Sequence, residues 1–262
     1  MPLAYLPHLR LNYRLDGAAT GPVLVLSHAL GFNLTIWDHV IALLPPTLRI
    51  LRYDHRGHGA SDTPPPPYSM GALITDAERL LDHLNIRDCV YLGLSMGGLV
   101  AQGLAIKRLD LVRGLVLSNT ATKIGTKSVW QDRIAAVRAG GLAAINAAAV
   151  ERTFSRAFRA TPDITHWQNL MLNGNAEGYT GCAAAIAGTD FYTQTASLRL
   201  PTLAIAGSED AATPPDLVRE TADLIPGSRF ALIRGGGHLP FVERPHAYAD
   251  ALTTFLKEIG HV

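Results

Sequence analysis

The run Cys89-Val90-Tyr91-Leu92 leads straight into Gly93-Leu94-Ser95-Met96-Gly97, a G-x-S-x-G element, and an amphipathic stretch from Leu99 to Lys107 follows at once. An apolar run, a tight turn and helical periodicity read as strand, elbow and helix, with Ser95 exposed at the tip. Gly93 and Gly97 remove the side chains that would collide as strand and helix close on each other. The element also makes a chemical demand. A serine is a poor nucleophile until a base takes its proton, so a histidine and an acid are required at matching strand ends further along the chain.

The rest of the chain alternates strand and helix. Leu11 to Leu15 alternates as an early strand, and Val23 to Ser27 and Arg49 to Tyr53 are short apolar strands. Gly71 to Leu84 carries apolar residues at helical spacing. Leu111 to Ser118, Thr202 to Ala206 and Phe230 to Ile233 are further strands, and Pro245 to Ile259 is a closing helix opened by a proline suited to a first turn. Short, nearly continuous apolar strands between helices predict an α/β fold, with a mostly parallel central sheet covered by helices on both faces. From Lys123 to Ser197 strands are missing and helical periodicity dominates, through Trp130, Ile134, Val137, Ala144 and Val150. The expected organisation is therefore a core in two parts, 1–122 and 198–262, with an inserted helical lid over 123–197. Pro64 to Pro67 is expected to form a stiff extended loop.

Composition limits the partners. With 48% hydrophobic residues in 262, the chain can bury one large core. A formal net charge of +1 and no lysine-arginine tract argue against nucleic acid and anionic membrane surfaces. No window approaches the roughly 18 apolar residues of a membrane span, and the N-terminus lacks the pattern of a secretory signal. Cys89 and Cys182 are far apart, match no metal spacing and suggest no disulfide framework, which fits a reducing compartment. A cytoplasmic protein acting on a small molecule, with no metal and no cofactor, is the expectation. The oligomeric state is left open.

The demand made by Ser95 is met twice. Asp210, in Gly207-Ser208-Glu209-Asp210, follows one predicted strand, and His238, in Gly235-Gly236-Gly237-His238, follows the next. Ligands of doubly wound sheets bind beyond the carboxyl ends of the strands, so all three residues converge on that edge. Their order, serine, acid, histidine, is the one this elbow geometry takes. His238 is the base, and Asp210 holds its tautomer and stabilises the imidazolium. Glu209 and Asp216 are rival acids, but Asp210 sits nearer the position expected after Gly207. An oxyanion hole needs two backbone donors. Met96 N–H, at the start of the helix, is one, and Leu30 N–H, in the loop His28-Ala29-Leu30-Gly31, is the other. His28 is read as a support for that loop, and His55 and His58 as organisers of a surface turn.

Ser27 to Gly31, Trp37-Asp38, Tyr53-Asp54-His55-Arg56-Gly57-His58-Gly59 and Gly93 to Gly98 resemble the α/β-hydrolase superfamily, over essentially the whole chain. Asn119-Thr120-Ala121 with Ile124-Gly125, Trp130 with Arg133, Glu177-Gly178-Tyr179 with Cys182, and Asp210 with Ala212 to Pro215 resemble the 3-oxoadipate enol-lactonases within it. His28 departs from the asparagine that many members carry, which leaves the backbone donor untouched. The resemblance implies an α/β-hydrolase fold and hydrolysis, without cofactor, of 3-oxoadipate enol-lactone to 3-oxoadipate in the β-ketoadipate branch of aromatic catabolism.

Such a substrate carries a free carboxylate, so the resemblance implies a cation in the pocket. Arg133 is the candidate, with Trp130 as an apolar wall for the ring and Arg138 as a second arginine five residues on. A solvated helix-face arginine is the competing reading. The implied mechanism is attack of Ser95 on the lactone carbonyl, then clearance of the acyl-enzyme by water; direct attack by water is the alternative. A carboxylesterase, a perhydrolase or a carbon–carbon bond hydrolase would use the same triad, and a slow ligand receptor could retain it. Dehalogenase and epoxide hydrolase chemistry is set aside, because those relatives carry a carboxylate where this chain has Ser95.

Overall fold

The computed structural model describes residues 2–262. Its strands are β1 (Leu3–Leu6), β2 (Leu9–Gly17), β3 (Val23–Ser27), β4 (Arg49–Tyr53), β5 (Cys89–Leu94), β6 (Val112–Ser118), β7 (Thr202–Gly207) and β8 (Arg229–Ile233). Among the described residues they form one eight-stranded sheet in the order β1-β2-β4-β3-β5-β6-β7-β8. β1 and β2 pair antiparallel, as do β2 and β4, and every pairing from β4 to β8 is parallel. β3, β5 and β7 are buried at every residue, as strands covered on both faces must be. Alternate side chains serve the two faces: Val25, Tyr91 and Leu115 belong to one core cluster, and Leu24, Leu26, Val90 and Leu92 to the other.

Counting helices of nine residues or more, α1 (Met70–His83) and α2 (Met96–Lys107) precede β6. Then come α3 (Lys127–Gly140), α4 (Ala143–Thr153), α5 (Ile164–Leu172) and α6 (Ala176–Ala187), followed by α7 (Pro215–Asp223) and α8 (Pro245–Glu258). α3 to α6 occupy the chain between β6 and β7, where helical periodicity predicts them, and Pro64 to Pro67 lie in a loop. No helix among the described residues is long and apolar enough to cross a membrane.

Three features differ from the sequence reading. The first strand pair is a hairpin, because Leu3–Leu6 folds back on the start of β2. Pro215–Asp223 forms a helix between the last two strands. And α2 is not amphipathic in its setting: Met96 to Ala105 are all buried. Ile74 of α1 and Phe191 press on it at Gly103, and Thr195 hydrogen-bonds Gln102 at 2.8 Å, so its outer face is covered too.

The chain passes from β3 to β4 on one side and then crosses to β5 on the other. Strand order reverses at β3, and the loops leaving β3 and β5 part there to open a crevice. Ser27 and Gly93 are register partners at that point. The residues after them, Leu30 and Ser95, are thereby brought to one edge.

Candidate active site

Ser95 separates β5 from α2 with φ +54° and ψ −114°. A non-glycine residue in this region costs on the order of 1–3 kcal/mol and persists only where its surroundings fix it. They do so here. A Cβ at Gly93 would lie 2.1 Å from the Gly97 carbonyl oxygen, and one at Gly97 would lie 2.3 Å from that of Ser27. Ser95 N–H donates to Ser118 O at 3.0 Å, and the Thr120 hydroxyl donates to Ser95 O at 2.7 Å. The backbone is clamped on both sides, and the side chain is turned towards a cavity.

Asp210 lies past the end of β7, and its Oδ2 is 2.8 Å from His238 Nδ1. The carboxylate is held from all sides. Asn119 Nδ2 donates to Oδ2 at 2.8 Å and the Thr213 hydroxyl at 2.7 Å, while the N–H groups of Ala212 and Thr213 donate to Oδ1 at 2.7 and 3.0 Å. Burial alone would raise this carboxyl, but His238 and these donors hold it below the usual carboxylate range. Glu209, the rival acid, accepts from Arg156 N at 3.2 Å instead, and Asp216 is exposed in the first turn of α7. His238 is aimed by its glycine loop. Gly237 N–H donates to the buried carboxylate of Glu243 at 3.0 Å, and His238 N–H donates to Thr153 O, at the end of α4, at 2.6 Å.

Ser95 and His238 line one cavity of about 220 Å³. Leu30 also lines it, and Met96 is the first residue of α2, where helix geometry leaves the N–H without an intrahelical acceptor. The remaining wall comes largely from the inserted helices, including Trp130, Arg133, Arg152, Met171 and Tyr179. A larger cavity of about 580 Å³ adjoins it, sharing Phe32 and Tyr179, but Ser95 and His238 do not line that one.

Trp130 and Arg133 therefore reach the serine's cavity, and Arg138 does not: it is exposed on a separate groove with Lys127 and Gln131. Arg133 stacks over Trp130, with its guanidinium carbon 4.4 Å from the ring centroid, and its charge works against the rise that burial gives the Tyr179 hydroxyl. Sequence reasoning gave no role to Asn119 and Thr213, although both lie in stretches that resemble the enol-lactonases, and it missed Arg152. Asn119 stands out locally only by its positive φ of 45°, and Arg152 is one arginine on an alanine-rich helix, which carries no signal of its own.

His55 and His58 do not sit on a surface turn. They are buried, with relative exposures of 1% and 5%. α6 covers them: Gly178 packs on Gly57 so closely that a Cβ on it would lie 1.9 Å from Gly57 O, and Tyr68 N–H donates to Gly181 O at 3.2 Å. His28 supports its loop as expected, accepting His55 N–H at 3.0 Å.

A model of the alpha/beta hydrolase family matches residues 24–251. The chain is 37% identical over 252 residues to 3-oxoadipate enol-lactonase 2 of Acinetobacter baylyi, covering 95% of this chain and 94% of that protein. The crystal structure of the enol-lactonase from Burkholderia xenovorans LB400 superposes with a TM-score of 0.94 at 33% identity, covering 98% of this chain and all of the other. That of a hydrolase from Pseudomonas aeruginosa gives 0.92 at 38% identity, covering 97% and 98%.

Proposed function

This chain belongs to the alpha/beta hydrolase family, and on that footing we propose that it is a serine-dependent lactone hydrolase. Its substrate would be a small enol-lactone bearing a carboxylate, 3-oxoadipate enol-lactone, opened to 3-oxoadipate. The carrying observation is that Ser95, His238 and Arg133 line a single cavity of about 220 Å³. The likeness to enol-lactonases over nearly the full length supports the same reading.

In this mechanism His238 takes the Ser95 proton as the hydroxyl oxygen attacks the lactone carbonyl. Asp210, ionised and hydrogen-bonded to Nδ1, stabilises the imidazolium. Negative charge on the carbonyl oxygen falls between the N–H groups of Leu30 and Met96; losing one such donor typically costs about 10²–10³ in rate. Collapse breaks the ring C–O bond, and the enolate oxygen set free takes the proton from the His238 imidazolium, which returns His238 to its neutral form, before the enol tautomerises to the ketone. Water activated by His238 then cleaves the acyl-enzyme, and the second carboxylate forms. Arg133 holds the first carboxylate throughout, through two parallel hydrogen bonds, and Trp130 walls the ring.

The experiment is turnover of the enol-lactone measured beside p-nitrophenyl acetate. Fast lactone and slow ester hydrolysis is the expected result. The reverse would make the protein an esterase, and lactone binding without turnover would make it a receptor.

A further inference from the structure

The serine's cavity holds two guanidiniums, Arg133 from α3 and Arg152 from α4. Neither forms an ion pair among the described residues. The two most deeply set arginines are compensated: Arg52 is bound by Asp16 and Asp38, and Arg56 by Asp76 at 2.5 Å. Taking a charge out of water without a partner is costly, and facing a second like charge across a small cavity adds to the cost. Arg152 shows the strain, since burial, and then the charge of Arg133, pull its guanidinium below its ordinary value. One anionic group suffices to neutralise one of the pair. Two are needed for both.

We propose that Arg133 and Arg152 together make this cavity a dianion site, with Arg152 a specificity-determining residue that takes the second carboxylate of a dicarboxylate. The proposal rests on the lactonase reading for its consequence, though not for its test. The enol-lactone carries one carboxylate. Hydrolysis adds water across the ring ester bond and yields a second carboxylate, a ketone and one proton, so the charge on the ligand doubles as it is turned over. Arg152 lies close to where that new group forms: its backbone is tied beside the triad, its carbonyl accepting Ala211 N–H at 3.3 Å next to Asp210 and that of Thr153 accepting His238 N–H, and the residue lines the same cavity as Ser95. The product is therefore bound more tightly than the substrate, and the enzyme is inhibited competitively by short dicarboxylates.

Calorimetric titration of the full chain with adipate and with hexanoate isolates the second carboxylate, because the two share a six-carbon chain. Adipate is expected to bind at least ten-fold tighter than hexanoate, with the gap shrinking as sodium chloride is raised. Arg152→Gln should abolish the ratio and Arg152→Lys should keep most of it. Equal affinities in the wild-type protein would overturn the proposal, as would an unchanged ratio in folded Arg152→Gln; should that variant not fold, the wild-type ratio and Arg152→Lys decide alone. Binding of adipate that depends on Arg152, in a protein that does not turn over the enol-lactone, would keep the dianion site and remove the lactonase. Fast lactone turnover without preferential adipate binding would do the opposite.

Discussion

His58 Nε2 accepts the backbone N–H of Gly31 at 3.0 Å, and thereby fixes the loop that carries Leu30 to the serine's cavity. His28 Nε2 accepts His55 N–H in the same way. Both rings must then carry their single proton on Nδ1, which faces Arg56 O in His58 and Ala29 O in His28. A second proton on either Nε2 would point at an N–H donor. Geometry and electrostatics agree on neutral rings. Burial pushes His28 down to about 4, and burial, with the repulsion a protonated His58 would meet from a protonated His28, pushes His58 down to about 3.

That cluster sets a pH dependence of stability. The unfolded chain has histidines near 6.5, so below that pH it binds protons the folded chain refuses. The contribution is fully present above about pH 6.5 and is lost as pH falls towards the folded values. Each such histidine steepens the loss by up to about 1.4 kcal/mol per pH unit. Urea unfolding between pH 7.5 and 5, above the range where carboxylates titrate, is expected to show falling stability in the wild-type protein and a shallower slope in His58→Gln. A flat profile would mean that the cluster is not neutral in the fold.

On the proposed covalent route, Ser95→Ala should lower lactone turnover by about 10⁴-fold or more. A lactone has no departing fragment, so the acyl-enzyme weighs the protein plus the whole substrate. Rapid quenching and mass spectrometry of the wild-type protein should find that adduct on Ser95. Full activity in Ser95→Ala would leave direct attack by water as the route.

Asn119 holds Asp210 and does not line the serine's cavity. Its φ of 45° is one that glycine adopts without strain, so Asn119→Gly removes the 2.8 Å hydrogen bond to the carboxylate and spares the backbone. A hydrogen bond to a charged group is worth about 1.5–3 kcal/mol. kcat should fall roughly ten- to hundred-fold while KM stays near the wild-type value. A loss confined to KM would place Asn119 elsewhere in the mechanism.

What was legible in the sequence follows strand ends. Ser95, Asp210 and His238 each stand just past an apolar run, and their residue types are uncommon enough there to be noticed. His55 and His58 were misread because nothing within ten residues of them reports burial. Their cover is α6, joined through a contact between Gly57 and Gly178 that lies far off in sequence. Arg152 escaped for a related reason. Whether an arginine on an exposed-looking helix faces solvent or a cavity is decided by how the inserted helices sit on the sheet, which local periodicity does not encode. The uniform burial of α2 is the same lesson, since its outer face is filled by Ile74 and Phe191.

The seat of α6 on the core is itself testable. In Gly178→Ala the new methyl would lie 1.9 Å from Gly57 O, a backbone atom that cannot swing aside. Overpacking of this kind costs about 1–3 kcal/mol and displaces the helix that carries Tyr179 into the cavity. Gly188→Ala, just past the same helix, meets nothing closer than 3.6 Å and serves as control. Thermal unfolding should fall by several degrees in the first and hold in the second. Matching midpoints would show that the inserted helices are not seated against the core through this contact.

On the proposed reading, Arg133 contributes to the pocket's selection for charge. It lines the serine's cavity, stacks on Trp130 and lacks a carboxylate partner among the described residues. A charge-assisted bidentate pair with the substrate is therefore open to it. Arg133→Ala should raise KM for the anionic enol-lactone by ten-fold or more and change KM for p-nitrophenyl acetate little, because the neutral ester has no carboxylate to hold. Arg138→Ala, on its separate groove, should affect neither. Equal losses on both substrates in Arg133→Ala would mean that the side chain shapes the wall of the cavity and does not recognise an anion.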